Sequence, residues 1–176
     1  MPDMQKALRI IVTGGTLDKI HDTYSEALAF DPDGKTHLPE MLQVARCHFP
    51  VVECLFLKDS LHFSDANREA IADAIKRAPE EAIILTHGTG TMDQTAAFLD
   101  SRVSDRTVVL TGALRPYSFG NSDAVFNLGG ALTAAQLLAH GIWVVMNGRI
   151  FRAGHVHKDV HSGRFDLISD INQRMK

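Results

Sequence analysis

Apolar positions in this chain fall into short, β-branched runs separated by stretches in which they recur every three or four residues. Leu8–Val12, Val51–Leu57, Ala82–Thr86, Thr107–Thr111 and Ile142–Met146 read as strands. Leu38–Arg46, the segment after Ser64, Met92–Arg102 and Val125–Ala139 read as helices. Ser64 stands where an N-cap belongs, and Ile71, Ala74, Ile75 and Ala78 mark one helical face. Gly141 is expected to end the last helix as its C′ residue. The stretch holding Asp31-Pro32-Asp33-Gly34 is too rich in turn residues to be a core element. Strands that are apolar throughout are buried on both faces. The alternation therefore predicts an α/β fold: a mostly parallel sheet in a three-layer sandwich, with helices on both faces.

Composition narrows the picture. A chain of 176 residues is the size of one domain, taken here as 1–176, with a motif-bearing core over about 8–150 and a polar tail over 152–176. Eighteen basic and 21 acidic residues leave a net charge of −3, without the basic footprint that nucleic-acid or acidic-membrane binding needs. Two cysteines, Cys47 and Cys54, are expected as reduced thiols. No apolar run approaches 18 residues and none precedes the first strand, so a cytoplasmic protein is expected. His155, His157 and His161 lie in the polar tail without a cysteine or carboxylate at a known ligand spacing. Neither a metal nor a cofactor is expected. His87 reads as a hydrogen-bonded turn residue, and Leu132, Leu137, Leu138 and Trp143 as core in preference to interface.

The chemistry is concentrated in turns that leave strands: Thr13-Gly14-Gly15-Thr16, Thr86-His87-Gly88-Thr89-Gly90-Thr91 and Thr111-Gly112-Ala113. In parallel sheets, ligands bind where the strands' carboxyl ends open into loops. Glycine lets backbone approach a ligand, and hydroxyls beside amide N–H groups can hold a carboxylate or a developing oxyanion. Gly88-Thr89-Gly90 also looks like a phosphate cradle. However, Asp93 stands where a dinucleotide fingerprint has its third glycine, and there is no Gly-Lys-Thr, which leaves nucleotide binding a minor reading.

Those three turns, together with Phe98-Leu99-Asp100, Asp123–Asn127 and Val144-Val145-Met146-Asn147, resemble the bacterial-type L-asparaginase family over roughly residues 8–150. The resemblance implies a flavodoxin-like core and hydrolysis of a small side-chain amide, asparagine first, through a threonine ester. It implies Thr16 as nucleophile with Gly15 beside it, and Thr89, flanked by Gly88 and Gly90, as the residue lining the oxyanion site. It also implies Ser60, with Asp59, as the contact for the substrate carboxylate, and Tyr24 as an assistant to the nucleophile.

Two positions depart from the pattern. The family has aspartate after the second-motif threonine, gripping the substrate's α-amino group and pairing with a lysine; here it is Gly90. Counting back from Thr111 puts Arg106 where that lysine is expected, and arginine cannot act as a base at neutral pH. Asp18, Lys19 and Asp93 are candidates to compensate. Two readings follow: an amidohydrolase, or a non-catalytic protein that binds a small carboxylate on the same fold. Long family members carry a second domain that this sequence lacks, so a homodimer or homotetramer is expected to complete the site.

Overall fold

The computed structural model describes residues 6–159 and 161–170. Its centre is a six-stranded sheet built from β1 (Leu8–Gly14), β4 (Val51–Lys58), β5 (Ala82–Thr86), β6 (Thr107–Thr111), β7 (Gly141–Met146) and β8 (Arg149–Arg152). The order is β4-β1-β5-β6-β7-β8, parallel except for the last strand, which turns back on β7. Between β1 and β4 lie a hairpin, β2 (Lys19–Asp22) and β3 (Ala27–Phe30), and the helix α1 (Leu38–Val44). The remaining helices are α2 (Asp65–Arg77), α3 (Met92–Asp100) and α4 (Ala124–Leu137). Ser64 does cap α2, its N–H and hydroxyl both donating to Asn67 Oδ1 at 3.0 and 3.1 Å.

The apolar strands divide their side chains between two cores, as a period of two requires. Ile11, Ile83, Leu85, Val108, Leu110, Ile142 and Val144 pack under α2 and α3. Ile10, Val12, Ile84, Val109 and Val145 pack under α1 and α4. This is the expected α/β arrangement with helices on both faces. Strand register then sets the site edge: Val12 pairs with Thr86, and Thr86 with Thr111, so β1, β5 and β6 end level.

Three expectations are corrected. Gly141 begins β7 instead of ending α4, which is capped at Leu138. Its φ is +140°, and its N–H donates to Arg106 O at 2.8 Å. Leu137 is not core but exposed. The polar tail contains the antiparallel hairpin β9 (Val156–Lys158) and β10 (Phe165–Leu167). Val156 and Phe165 join the α2/α3 core, Phe165 being 1% exposed. Burying such a phenylalanine is worth about 2–3 kcal/mol, enough to hold a three-residue strand in place.

Candidate active site

Four loops meet at the carboxyl edge of the sheet, and they meet through glycine. Gly15, at φ +89°, lies so close to the next loop that an added Cβ would sit 2.5 Å from Gly88 N and 2.6 Å from Gly88 Cα. A side chain on Gly88 would in turn run into Ser60 Oγ, and one on Gly112 into His87 O. The turns after β1, β4, β5 and β6 are thus stacked backbone on backbone, which places Thr16, Ser60 and Thr89 in adjoining loops.

Three of the threonines at this edge are structural. Thr13 Oγ1 donates to Thr86 O at 2.7 Å, Thr111 Oγ1 to Val145 O at 2.9 Å, and Thr91 Oγ1 to Ser60 O at 2.9 Å. Thr86 Oγ1 is buried without a partner at the end of β5. Two further hydroxyls stand out. Thr16 is half-buried in the 3-10 turn Thr16–Asp18, where its hydroxyl takes no hydrogen bond among the described residues. Thr89 is buried and accepts a hydrogen bond from Lys158 Nζ at 2.8 Å.

Lys158 is the residue that the motif pattern missed. Its place in β9 puts a half-buried ammonium on Thr89 across 69 residues of sequence. Burial lowers its pKa, and the charge of Asp93 opposes that shift in part. Arg106, by contrast, sits at the start of β6, at the amino edge of the sheet. Its guanidinium caps the end of α2 by donating to the carbonyls of Lys76, Ala78 and Glu80. That position corrects the expectation that Arg106 replaces a site lysine.

Ser60 is 1% exposed and its hydroxyl has no partner, lying over the Gly88–Thr89–Gly90 turn. Its neighbour Asp59 is committed on both oxygens, to Lys19 Nζ at 2.5 Å and Leu61 N at 3.0 Å. Burial alone would raise the Asp59 carboxyl; those two donors outweigh it and hold its pKa below the ordinary value. Tyr24 lies at the tip of the β2–β3 hairpin and is 97% exposed, so the structure does not bring it to the threonines.

None of the three compensating candidates reaches Thr16 or Thr89. Asp18 is buried toward α1, taking Thr36 Oγ1 at 2.8 Å and His37 N at 2.9 Å. Lys19 is paired with Asp59. Asp93 holds Gln94 N at 2.9 Å and His157 Nδ1 at 3.1 Å.

His87 supports the site from beneath. Nδ1 faces the Gly88 carbonyl at 2.7 Å, an acceptor only, so Nδ1 carries the hydrogen and Nε2 accepts from Thr95 Oγ1 at 2.9 Å. Complete burial lowers its pKa to about 4. The unfolded chain, with an ordinary pKa near 6.5, takes up this proton first as pH falls. The stabilising effect of neutral His87 is therefore present above about pH 6.5 and is lost between there and about pH 4, costing about 3 kcal/mol in all. Urea midpoints at pH 7.5 and 4.5 should show that drop, and His87→Gln should show a smaller one.

Residues 7–175 match the family model described as "Asparaginase, N-terminal". One subunit of the glutamyl-tRNA(Gln) amidotransferase of Methanococcus maripaludis is 32% identical over 96% of this chain and 43% of its own length. An L-asparaginase of Bacillus licheniformis is 32% identical over 90% of this chain and 51% of its own length. The chain spans about half the length of these curated relatives. Among solved structures, the thermostable L-asparaginase from Thermococcus kodakarensis superposes with a TM-score of 0.77 at 29% identity, covering 92% of this chain and 51% of that one. A probable cytoplasmic L-asparaginase from Campylobacter jejuni gives 0.73 at 27% identity, covering 93% and 53%.

Proposed function

The chain belongs to the asparaginase family, and from that membership we propose a small-amide hydrolase with Thr16 as nucleophile and Thr89–Lys158 as its proton-handling pair. The observation that carries this reading is the 2.8 Å contact between Lys158 Nζ and Thr89 Oγ1, in the loop against which Gly15 and Thr16 are packed.

Thr16 Oγ attacks the carboxamide carbon, a C–O bond forms, and the hydroxyl proton passes to the departing nitrogen. The C–N bond breaks, ammonia leaves, and an ester on Thr16 remains. Water then attacks the ester and gives up one proton through Thr89 to neutral Lys158; the C–O bond to Thr16 breaks, Lys158 returns that proton through Thr89 to the departing Thr16 oxygen, and the carboxylic acid product is released. The lowered pKa of a half-buried Lys158 favours the neutral form that this step needs. Ser60 offers its unpartnered hydroxyl to a substrate carboxylate. These steps balance without a metal or cofactor.

A non-catalytic anion-binding role is supported by Gly90, but Arg106 no longer supports it. A second reading draws on the 32% identity to the amidotransferase component, where the amide chemistry would serve a larger assembly. Among the described residues no helix is long and apolar enough to cross a membrane. A cytoplasmic location is proposed from the likeness to the probable cytoplasmic L-asparaginase of Campylobacter jejuni. An apolar groove of about 590 Å³ on α4 and β8, flanked by exposed Phe126, Leu137 and Ile150, is the surface we assign to association into a homodimer or homotetramer.

Acid-quenching the purified chain during turnover of L-asparagine should reveal an acyl adduct on the peptide bearing Thr16, alongside ammonia release. Thr16→Ala should lose both. Ammonia release that survives Thr16→Ala would overturn the nucleophile assignment.

A further inference from the structure

The charged groups around Thr16 and Thr89 are unequally available. Of the acidic side chains in the loops that meet there, Asp59, Asp93 and Asp123 are engaged on both oxygens, while Asp159 and Asp18 are held on one oxygen each, Asp18 Oδ2 being buried without a partner. Asp59 is bound to Lys19 and Leu61 N, and Asp93 to His157 and Gln94 N. Asp123, in the loop after β6, gives one oxygen to Leu114 N and Arg115 N and the other to Asn127 Nδ2. Asp159, next to Lys158, holds the β9–β10 turn through His161 N and Ser162 N. Asp18 is shut off from solvent beneath α1.

The donors are less committed. Ser60 Oγ is buried, without a partner, and aimed at the Gly88–Gly90 turn. Lys158 has a neutral hydroxyl as its hydrogen-bond partner. Beside them, Gly90 contributes no side chain, and the space a Cβ would enter is taken by Leu61, whose Cδ2 lies 2.7 Å from that point. A ligand here meets a free hydroxyl, the Lys158 amine and an isobutyl group. An anion is served by those donors, whereas an ammonium beside Gly90 finds no side-chain carboxylate at that position to receive it.

We infer that the site selects a monoamide of a dicarboxylic acid that carries no amino group next to its carboxylate, with Gly90 and Leu61 as the residues that set this preference. The inference rests on the amide-hydrolase reading for its turnover arm, but not for its binding arm. Succinamate, which is asparagine without its amino group, is the probe substrate; succinate and L-aspartate are the matching product ligands.

The native chain should release ammonia from succinamate with a kcat/KM at least tenfold above that for L-asparagine. By calorimetry it should bind succinate at least tenfold more tightly than L-aspartate. Gly90→Asp should move both ratios at least tenfold toward the amino compounds. Leu61 is 68% exposed and free to swing aside, and the pair Gly90→Asp with Leu61→Ala removes the collision if the single variant folds poorly.

Equal or faster turnover of L-asparagine overturns the inference and leaves the hydrolase reading standing. Silence on both amides, with succinate still preferred in binding, supports the inference and overturns the hydrolase reading. Absence of turnover together with no binding preference overturns both.

Discussion

Lys158→Met is expected to lower kcat/KM for ammonia release by about 10³-fold, the range over which a positioned general base contributes. Methionine keeps the unbranched stem and removes the amine, so the half-exposed β9 strand keeps its packing through Val156 and neighbouring Phe165. Thr89→Val should lose a similar factor, because Lys158 reaches the reaction through Thr89 Oγ1. The double variant should be little worse than either single one, as expected of groups that act as a unit. The pH profile gives a further check. A base works unprotonated, so activity is gained as pH rises through the Lys158 pKa, which burial holds below the ordinary lysine value of 10.5. That rising limb should vanish in Lys158→Met. Retention of more than a tenth of native activity would remove Lys158 from the mechanism.

Gly15→Ala should be among the most destabilising single substitutions in the chain, at about 4 kcal/mol. Two effects add. A φ of +89° strains any residue with a Cβ, and that Cβ would meet the backbone of Gly88 at 2.5–2.6 Å, where nothing can swing aside. Gly34 separates the two, since it has a φ of +71° but nothing within 4 Å of an added Cβ. Gly34→Ala should therefore cost only the backbone term, about 1–2 kcal/mol. Urea unfolding of both variants measures the difference, which reports how tightly the loops carrying Thr16 and Thr89 are pressed together. Equal losses would show that the two loops can part at little cost.

The doubly covered sheet is legible in the chain because its strands are continuously apolar. Ala82–Thr86 and Thr107–Thr111 can be read off to the residue, and the glycine-bearing turns follow from where those strands stop. Arg106 shows what strand direction adds to motif spacing. It precedes β6 while Thr111 ends it, and five residues of strand put about 17 Å between them. A residue at that end cannot serve the carboxyl edge.

Lys158 lacks any comparable local signal. A three-residue strand carries too little periodicity to read, and the partner that defines Lys158 is 69 residues away. The available clue is sparse: Phe151, Val156 and Phe165 are scattered apolar residues in a stretch rich in charged and polar ones, and all three prove to be buried. Ser60 and Asp59 are legible from sequence as neighbours of the site, but not the division of labour between them. Only the fold reveals that Asp59 is engaged by Lys19 while Ser60 Oγ is left without a partner.

The hairpin that delivers Lys158 also affects how the protein is made. Synthesis runs from the amino end, so the Thr16 and Thr89 turns leave the ribosome well before β9. The growing chain therefore holds Thr16 and Thr89 without the Lys158 amine until the hairpin has emerged and Phe165 has docked under α3. Proteolytic trimming between the end of β7 and Lys158 would return the molecule to that unarmed state, with the parallel strands of its sheet retained. On the proposed mechanism, docking of the hairpin and the onset of chemistry are the same event.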